Sequence, residues 1–185
     1  GQMHGFTLLD RSAEPVTPFV TWEDRRALEA SDEGSPWLTR FSDLCDRFVP
    51  ADSGMTYAPG FASLNLFIML ARNEVPEGAS TIASVQDWLA ASLTPDRRVV
   101  TTPSCAAGTG LFNPRIGAWE RGLVEAIGID ETMLPDVVPA GTIVGQASGL
   151  GRAVAPGTPV VAGMGDNQAS FLAAVGAPDR DILVT

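Results

Sequence analysis

The sequence predicts an α/β fold, because short apolar segments rich in β-branched residues alternate with longer segments of helical periodicity. One stretch joins the two types directly: an apolar, buried strand over 158–162, a turn permitted by two glycines, and a helix continuing over 169–174. Ligands of open α/β sheets bind beyond the carboxyl ends of the strands. Asp166 and Asn167 lie at this corner, the turn from strand to helix, and are therefore expected to contact a substrate. Capping of the helix by Asp166 is an equally open interpretation, and the two roles can coexist.

Periodicity and turn residues define the elements that precede this corner. Strands are expected over 6–9 and 16–22, followed by a helix from Thr21 to about Ala30 with acidic residues in its first turn. In the later helix over 85–93, capped by Ser84, the inner face is expected to include Leu89 while Asp87 points elsewhere. Three further helices are predicted: one after Ser35-Pro36 that carries a stripe of aromatic residues, one over 61–71, and one over 119–127 that ends at Gly128. Two further strands are predicted over 99–102 and 142–145.

Composition excludes several classes of function. The formal net charge of −10 argues against a nucleic-acid partner, and no apolar run approaches the roughly 20 residues that span a bilayer. All 12 basic residues are arginine, so a Schiff-base lysine or a P-loop lysine is excluded within this chain. Cys45 and Cys105 lack metal or redox spacing, which is typical of buried, reduced thiols in a cytoplasmic protein. His4, the single histidine, has no second metal ligand at a suitable interval.

Four motifs occur in an order that resembles the FGGY carbohydrate kinases. GQMHG resembles the ketose kinases of that family, xylulokinase and sedoheptulokinase, and the TIxxVQDWL stretch favours the sedoheptulokinase-like branch. The similarity extends over nearly the whole chain. The motifs are GQMHG at Gly1–Gly5, TWEDRR at Thr21–Arg26, LPDVVPAGTIVG at Leu134–Gly145 and GTPVVAGMGDNQAS at Gly157–Ser170.

The resemblance implies an actin-like ATPase (ribonuclease H-like) domain, with a mixed sheet flanked by helices, that is incomplete at both ends. Residues 1–176 would be most of the N-terminal, sugar-binding domain without its first strands, and residues 177–185 would begin the C-terminal, ATP-binding domain. ATP and Mg²⁺ are the implied cofactors, bound mainly by segments outside this chain. No cofactor-binding or metal-binding residue is therefore expected here, and the chain alone is expected to be inactive.

The same resemblance assigns roles to individual residues. Asp166 would be the catalytic base and Asn167 would contact a sugar hydroxyl, while Met3 and His4 would line the sugar pocket with help from Gln2. A carboxylate suits this chemistry, because a primary alcohol needs a base to accept its proton as it attacks phosphorus. A further candidate near the pocket is Asp24, for which helix capping is an equal explanation.

The expected function is ATP-dependent phosphorylation of a ketose, of the xylulose or sedoheptulose class, on a primary hydroxyl. The partner is then a small-molecule sugar, with no nucleic acid and no membrane, and a homodimer is left open. Two departures from the xylulokinase pattern leave the sugar undecided: Thr102 replaces a carboxylate, which alters a hydroxyl contact, and Leu66 replaces an aromatic stacking wall.

Two alternatives to a sugar kinase are open. The first is a non-catalytic sugar-binding or regulatory member of the actin-like group. The second is a dinucleotide-binding domain built on Gly163-Met164-Gly165, which is disfavoured because the third glycine and the downstream acidic residue are not at the required intervals.

Overall fold

The computed structural model of the chain describes residues 1–149 and 153–176. Helices and strands alternate along these residues, so the predicted α/β class is confirmed. The expected domain boundary at 177 lies outside the described residues. In chain order the elements are β1 (Gly5–Leu9), β2 (Val20–Thr21), α1 (Trp37–Phe48), α2 (Ala62–Ala71), β3 (Thr81–Ala83), α3 (Val85–Leu93), β4 (Val100–Thr101), α4 (Pro103–Ala107), β5 (Phe112–Asn113), β6 (Ala118–Trp119), α5 (Arg121–Ile127), β7 (Asp136–Val137), β8 (Ile143–Gln146), β9 (Pro159–Val161) and α6 (Asp166–Ala174), with 3-10 turns at Arg26–Leu28 and Glu131–Met133.

The strands of the described ranges form four small sheets of mixed type. β1 is central in the largest sheet, with β2 and β3 antiparallel on either side of it. β4 and β7 pair in parallel, whereas β5 with β6 and β8 with β9 form antiparallel ribbons. The predicted strand over 16–22 is reduced to the two residues of β2.

Helices α1, α2 and α5 cover β1 and enclose the main core. The predicted aromatic stripe of α1 is confirmed for Trp37, Phe41 and Cys45, which are buried, whereas Phe48 at the end of the helix is 40% exposed. Helix α2 is buried along most of its length, because it packs against α1, α5 and the 3-10 turn Arg26–Leu28. The largest fully buried side chains of this core include Phe6, Leu8, Leu64, Leu66, Ile68, Leu111, Leu123 and Val124.

The helix predicted from Thr21 to Ala30 is wrong. Only the 3-10 turn Arg26–Leu28 forms there, because side chains satisfy the backbone locally: Thr21 Oγ1 accepts from the Glu23 amide and Asp24 Oδ1 accepts from the Arg26 amide. Such bonds compete with the continuous ladder of an α-helix.

The strand predicted as buried over 158–162 is shorter and half exposed. β9 pairs with β8 alone, so one face is covered by α3 and the other is open. Val160 is 8% exposed and packs with Ala90 and Ala147, whereas Val161 is 47% exposed.

Helix α3 presents a different face to the interior from the predicted one. Asp87 is 3% exposed and Leu89 is 50% exposed, the reverse of the expectation. A capping box explains the inward carboxylate, because the Ser84 hydroxyl accepts from the Asp87 amide while Asp87 Oδ2 accepts from the Ser84 amide.

Both cysteines are buried and free, as expected for structural thiols. Within residues 1–149 and 153–176, every helix is too short or too polar to cross a bilayer.

Candidate active site

The N-terminal segment lies directly against the turn that leads into α6. The Gly1 nitrogen donates to the Met164 carbonyl oxygen at 2.9 Å, and the Gly1 carbonyl accepts from the Asp166 amide at 2.8 Å. These two bonds join segments that are more than 160 residues apart in the chain. The GQMHG and GDNQ motifs are therefore neighbours in space.

Met3 is packed between two glycines. A Cβ atom built on Gly165 would lie 2.5 Å from Met3 Cγ, and one built on Gly108 would lie 2.5 Å from the Met3 carbonyl oxygen. Side chains at either position would therefore displace the N-terminal segment. The absence of a side chain at Gly108 allows its backbone to approach the Met3 backbone closely.

His4 is half-buried and held in a defined orientation. Its ring stacks on Phe61 with centroids 4.1 Å apart and planes 15° from parallel, and its Nδ1 lies 3.1 Å from the Gly108 carbonyl oxygen. A carbonyl only accepts, so Nδ1 carries the proton in this contact, and Nε2 of the neutral ring remains an acceptor. Gln2 supports the segment by donating from Nε2 to the His4 carbonyl at 2.6 Å.

Trp22 is a candidate that the sequence interpretation missed. A Cβ on Gly60 would collide with the Trp22 carbonyl, so the two backbones touch, and Gly60 directly precedes the Phe61 that stacks on His4. Trp22 is 50% exposed. An aromatic in the TWEDRR motif was the available signal, and it was overlooked because the motif was interpreted as the start of a helix.

Asp166 and Asn167 are exposed at the first turn of α6. Gly165 occupies the N-cap position, and Asp166 Oδ1 accepts from the Asn167 amide at 2.8 Å. Asp166 therefore contributes to the helix start and also presents its carboxylate outward. The interpretation of Asp166 as the helix cap is therefore wrong, because Gly165 holds that position without a side-chain cap bond, and the Asp166 side chain is exposed rather than enclosed in the interior.

The turn before Asp166 does not form a dinucleotide-binding unit. Such a unit requires a strand that runs parallel to its neighbour through a crossover helix. β9, which leads into Gly163-Met164-Gly165, pairs instead with β8 in an antiparallel ribbon.

Asp24 is paired with a neighbouring arginine. Both of its carboxylate oxygens bind Arg26, with the Nη2–Oδ2 distance at 2.8 Å. Burial raises the pKa of Asp24, but the hydrogen bonds and charge of Arg26 outweigh it, and the pKa is lowered overall. The open depression of about 500 Å³ that Asp24 lines is otherwise formed by charged residues: Arg25, Arg26, Glu29, Arg72 and Glu74. The Asp24 carboxylate is therefore engaged by Arg26.

Neither departure from the xylulokinase pattern faces the open site. Thr102 is fully buried and donates from Oγ1 to the Gly163 carbonyl at 2.8 Å, and Leu66 is 1% exposed within the core. The expectation that they alter a sugar hydroxyl contact or a stacking wall is therefore wrong. Thr102 acts on the turn before Asp166 instead.

The part of the chain that the structure describes supplies no group of three His, Cys, Asp or Glu side chains arranged to hold a metal ion. Asp166 is a single carboxylate at this corner.

Comparisons with known proteins agree with this geometry. Residues 1–173 match the FGGY family of carbohydrate kinases, N-terminal domain. The apulose kinase of Pectobacterium atrosepticum is 31% identical over 92% of this chain and 34% of its own length, and a glycerol kinase of Trichlorobacter lovleyi is 28% identical over 87% and 32%. The chain thus spans about a third of the length of these relatives.

A solved structure shows the same fold. The xylulose kinase from Rhodospirillum rubrum superposes with a TM-score of 0.76 at 22% identity, over 96% of this chain and 36% of that protein. The predicted actin-like ATPase fold is thereby confirmed. With the match covering 173 of 185 residues, the chain belongs to the FGGY family of carbohydrate kinases.

Proposed function

We propose that the protein is an ATP-dependent kinase that phosphorylates a ketose sugar, of the xylulose or sedoheptulose class, on a primary hydroxyl. In this proposal residues 1–176 are most of its sugar-binding domain, and residues 177–185 begin its ATP-binding domain. The main support is the contact between the GQMHG segment and the turn bearing Asp166, which brings a sugar-binding motif and an exposed carboxylate to one corner.

The substrate hydroxyl would lie between Asp166 and the N-terminal segment. Asn167 has an amide that both donates and accepts, which suits a neighbouring hydroxyl. The free Nε2 of His4 would accept from another hydroxyl, because Nδ1 is held by Gly108. The exposed indole of Trp22 would provide an apolar surface for the sugar carbons.

Asp166 would act as general base in the transfer. Its carboxylate would accept the proton of the primary hydroxyl as that oxygen bonds to the γ-phosphorus of ATP and the bond to the ADP oxygen breaks. Because the transition state is loose, most of the rate gain comes from holding the hydroxyl in line with the phosphorus. Bound Mg²⁺ would neutralise phosphate charge, and we assign no step to it.

The identity of the sugar follows from a panel of ketoses and polyols tested on the full-length protein with a coupled ADP readout. We expect ADP formation that depends on a ketose with a free primary hydroxyl, and weaker turnover with glycerol. Equal or greater turnover with glycerol would contradict the ketose assignment. Sugar binding in calorimetry without ADP formation would identify a non-catalytic sugar-binding member of the family instead.

A further inference from the structure

We propose that Thr102 and Ser104 are positioning residues that fix the turn before Asp166 through a closed chain of hydrogen bonds. The inference rests on the proposed role of Asp166 as base. Thr102 is fully buried and the half-buried Ser104 hydroxyl accepts from the Gly165 amide, so both are proposed to act on the turn and not on the substrate.

The contacts form a ring between two segments 61 residues apart. Thr102 Oγ1 donates to the Gly163 carbonyl at 2.8 Å, and Ser104 Oγ accepts from the Gly165 amide at 3.1 Å. The two hydroxyl oxygens lie 3.3 Å from each other. The ring therefore engages the peptide groups on both sides of Met164.

Hydrogen-bond chemistry gives this ring one direction. A hydroxyl has a single proton, and the Gly163 carbonyl can only accept, so the proton of Thr102 is committed to it. Thr102 must then accept from Ser104, which itself accepts from the Gly165 amide. The order is amide, serine hydroxyl, threonine hydroxyl, carbonyl, and Cys105 Sγ, 4.0 Å from Ser104 Oγ, is a further neighbour of the serine hydroxyl.

Backbone hydrogen bonds and close packing also restrain the opposite side of the turn. Gly1 bonds to the Met164 carbonyl and to the Asp166 amide, and a Cβ on Gly163 would lie 2.6 Å from Gln86 Cγ, which packs beneath it. Among the residues that the structure describes, the side-chain hydrogen bonds to the backbone of residues 163–165 come from this hydroxyl pair. Because small displacements of a catalytic group lower rates strongly, loss of the pair should reduce turnover more than sugar binding.

The test compares variants of the full-length protein. Thr102→Val keeps the shape and removes the donor, and we expect kcat to fall about ten-fold or more with the dissociation constant for the sugar within about three-fold. Thr102→Ser retains the hydroxyl and should restore kcat to within about three-fold of wild type. Ser104→Ala should match Thr102→Val, and the double variant should be no worse than either, because the ring acts as a unit.

Thr94→Val is the matched control. Thr94 is 3% exposed and donates from Oγ1 to the Ala91 carbonyl at 3.1 Å, away from this turn. This variant should lose a similar amount of thermal stability yet keep wild-type kcat. Amide hydrogen exchange over residues 163–167 gives a readout independent of activity, and it should accelerate in Thr102→Val and in Ser104→Ala but not in Thr94→Val.

The outcomes separate the two proposals. Unchanged exchange in the ring variants, equal loss of kcat in Thr94→Val, or no rescue by Thr102→Ser would overturn the positioning role. A wild-type protein that phosphorylates no sugar would overturn the proposed function. It would also overturn the proposal that the hydrogen-bond ring positions a catalytic base. An active wild type, an inactive Asp166→Asn and a fully active Thr102→Val would overturn the ring alone.

Discussion

The buried carboxyl group of Asp87 makes stability depend on pH. Burial raises the pKa of Asp87 to about 6, although the hydrogen bond from the Ser84 amide favours its charged form. The unfolded chain has an ordinary value of about 3.9. Between these values the folded state binds the proton more tightly, so the free energy of unfolding falls as pH rises from about 4 to 6 and then levels.

We predict that Asp87→Asn removes this decline. Two pKa units correspond to about 3 kcal/mol, and asparagine keeps an acceptor for the Ser84 amide. Urea unfolding of both proteins at several pH values measures the effect as a difference, in which the other carboxylates cancel. Parallel curves for the two proteins between pH 4 and 6 would show that Asp87 does not titrate as described.

The sequence predicted the role of a residue mainly when the residues it contacts lie close to it in the chain. The burial of Trp37 and Phe41 was predicted because their spacing repeats along one helix. The roles of Thr102 and Ser104 were not, because their bonds reach across 61 residues to a turn that gives no local signal. Asp24 was proposed for the pocket from its motif, whereas the structure pairs it with Arg26, two residues away.

At the scale of elements, the site depends on close packing between the N-terminal segment and the turn before α6. Gly165 has a φ of −58°, so alanine there would not strain the backbone, but its Cβ would lie 2.5 Å from Met3 Cγ. We predict that Gly165→Ala displaces the side chains of Met3 and Gln168, because the new Cβ would also collide with Gln168 Oε1, and weakens sugar binding about ten-fold in calorimetry.

Gly122→Ala is the control for that substitution. Gly122 lies within α5, and a Cβ there would be 3.6 Å from the nearest atom, an ordinary contact with Phe48. Alanine should stabilise the helix by up to about 1 kcal/mol and leave sugar affinity unchanged. Equal sugar affinity in Gly165→Ala and Gly122→Ala would mean that the contact with Met3 does not shape the site.

Elements with local start and stop signals were predicted well. Ser84 caps α3 and Gly128 ends α5 with a φ of +87°, as their positions indicated. The strand leading to the site was predicted as buried because its residues are apolar, yet its exposure depends on pairing with β8 alone. Pairing partners are set by the tertiary fold, which is why composition did not indicate the open face.

For the whole molecule, the described residues offer little positive charge for a triphosphate. The sequence has no lysine, and across residues 1–149 and 153–176 eight ion pairs involve seven different arginines, since Arg26 makes two. We predict that the 185-residue chain alone neither hydrolyses ATP nor binds it tightly. Calorimetry with ATP checks this, and micromolar affinity would contradict the assignment of nucleotide binding to segments outside this chain.

The central claim is that Asp166 removes the proton from a sugar hydroxyl while the neighbouring segment holds the sugar. Its most direct test is Asp166→Asn in the full-length protein, with sugar-dependent ADP formation and sugar affinity measured on the same preparation. We predict a fall in kcat of about 10²–10⁴-fold, the range of general-base catalysis, with sugar affinity within a few-fold of wild type. Turnover within a few-fold of wild type would contradict the claim.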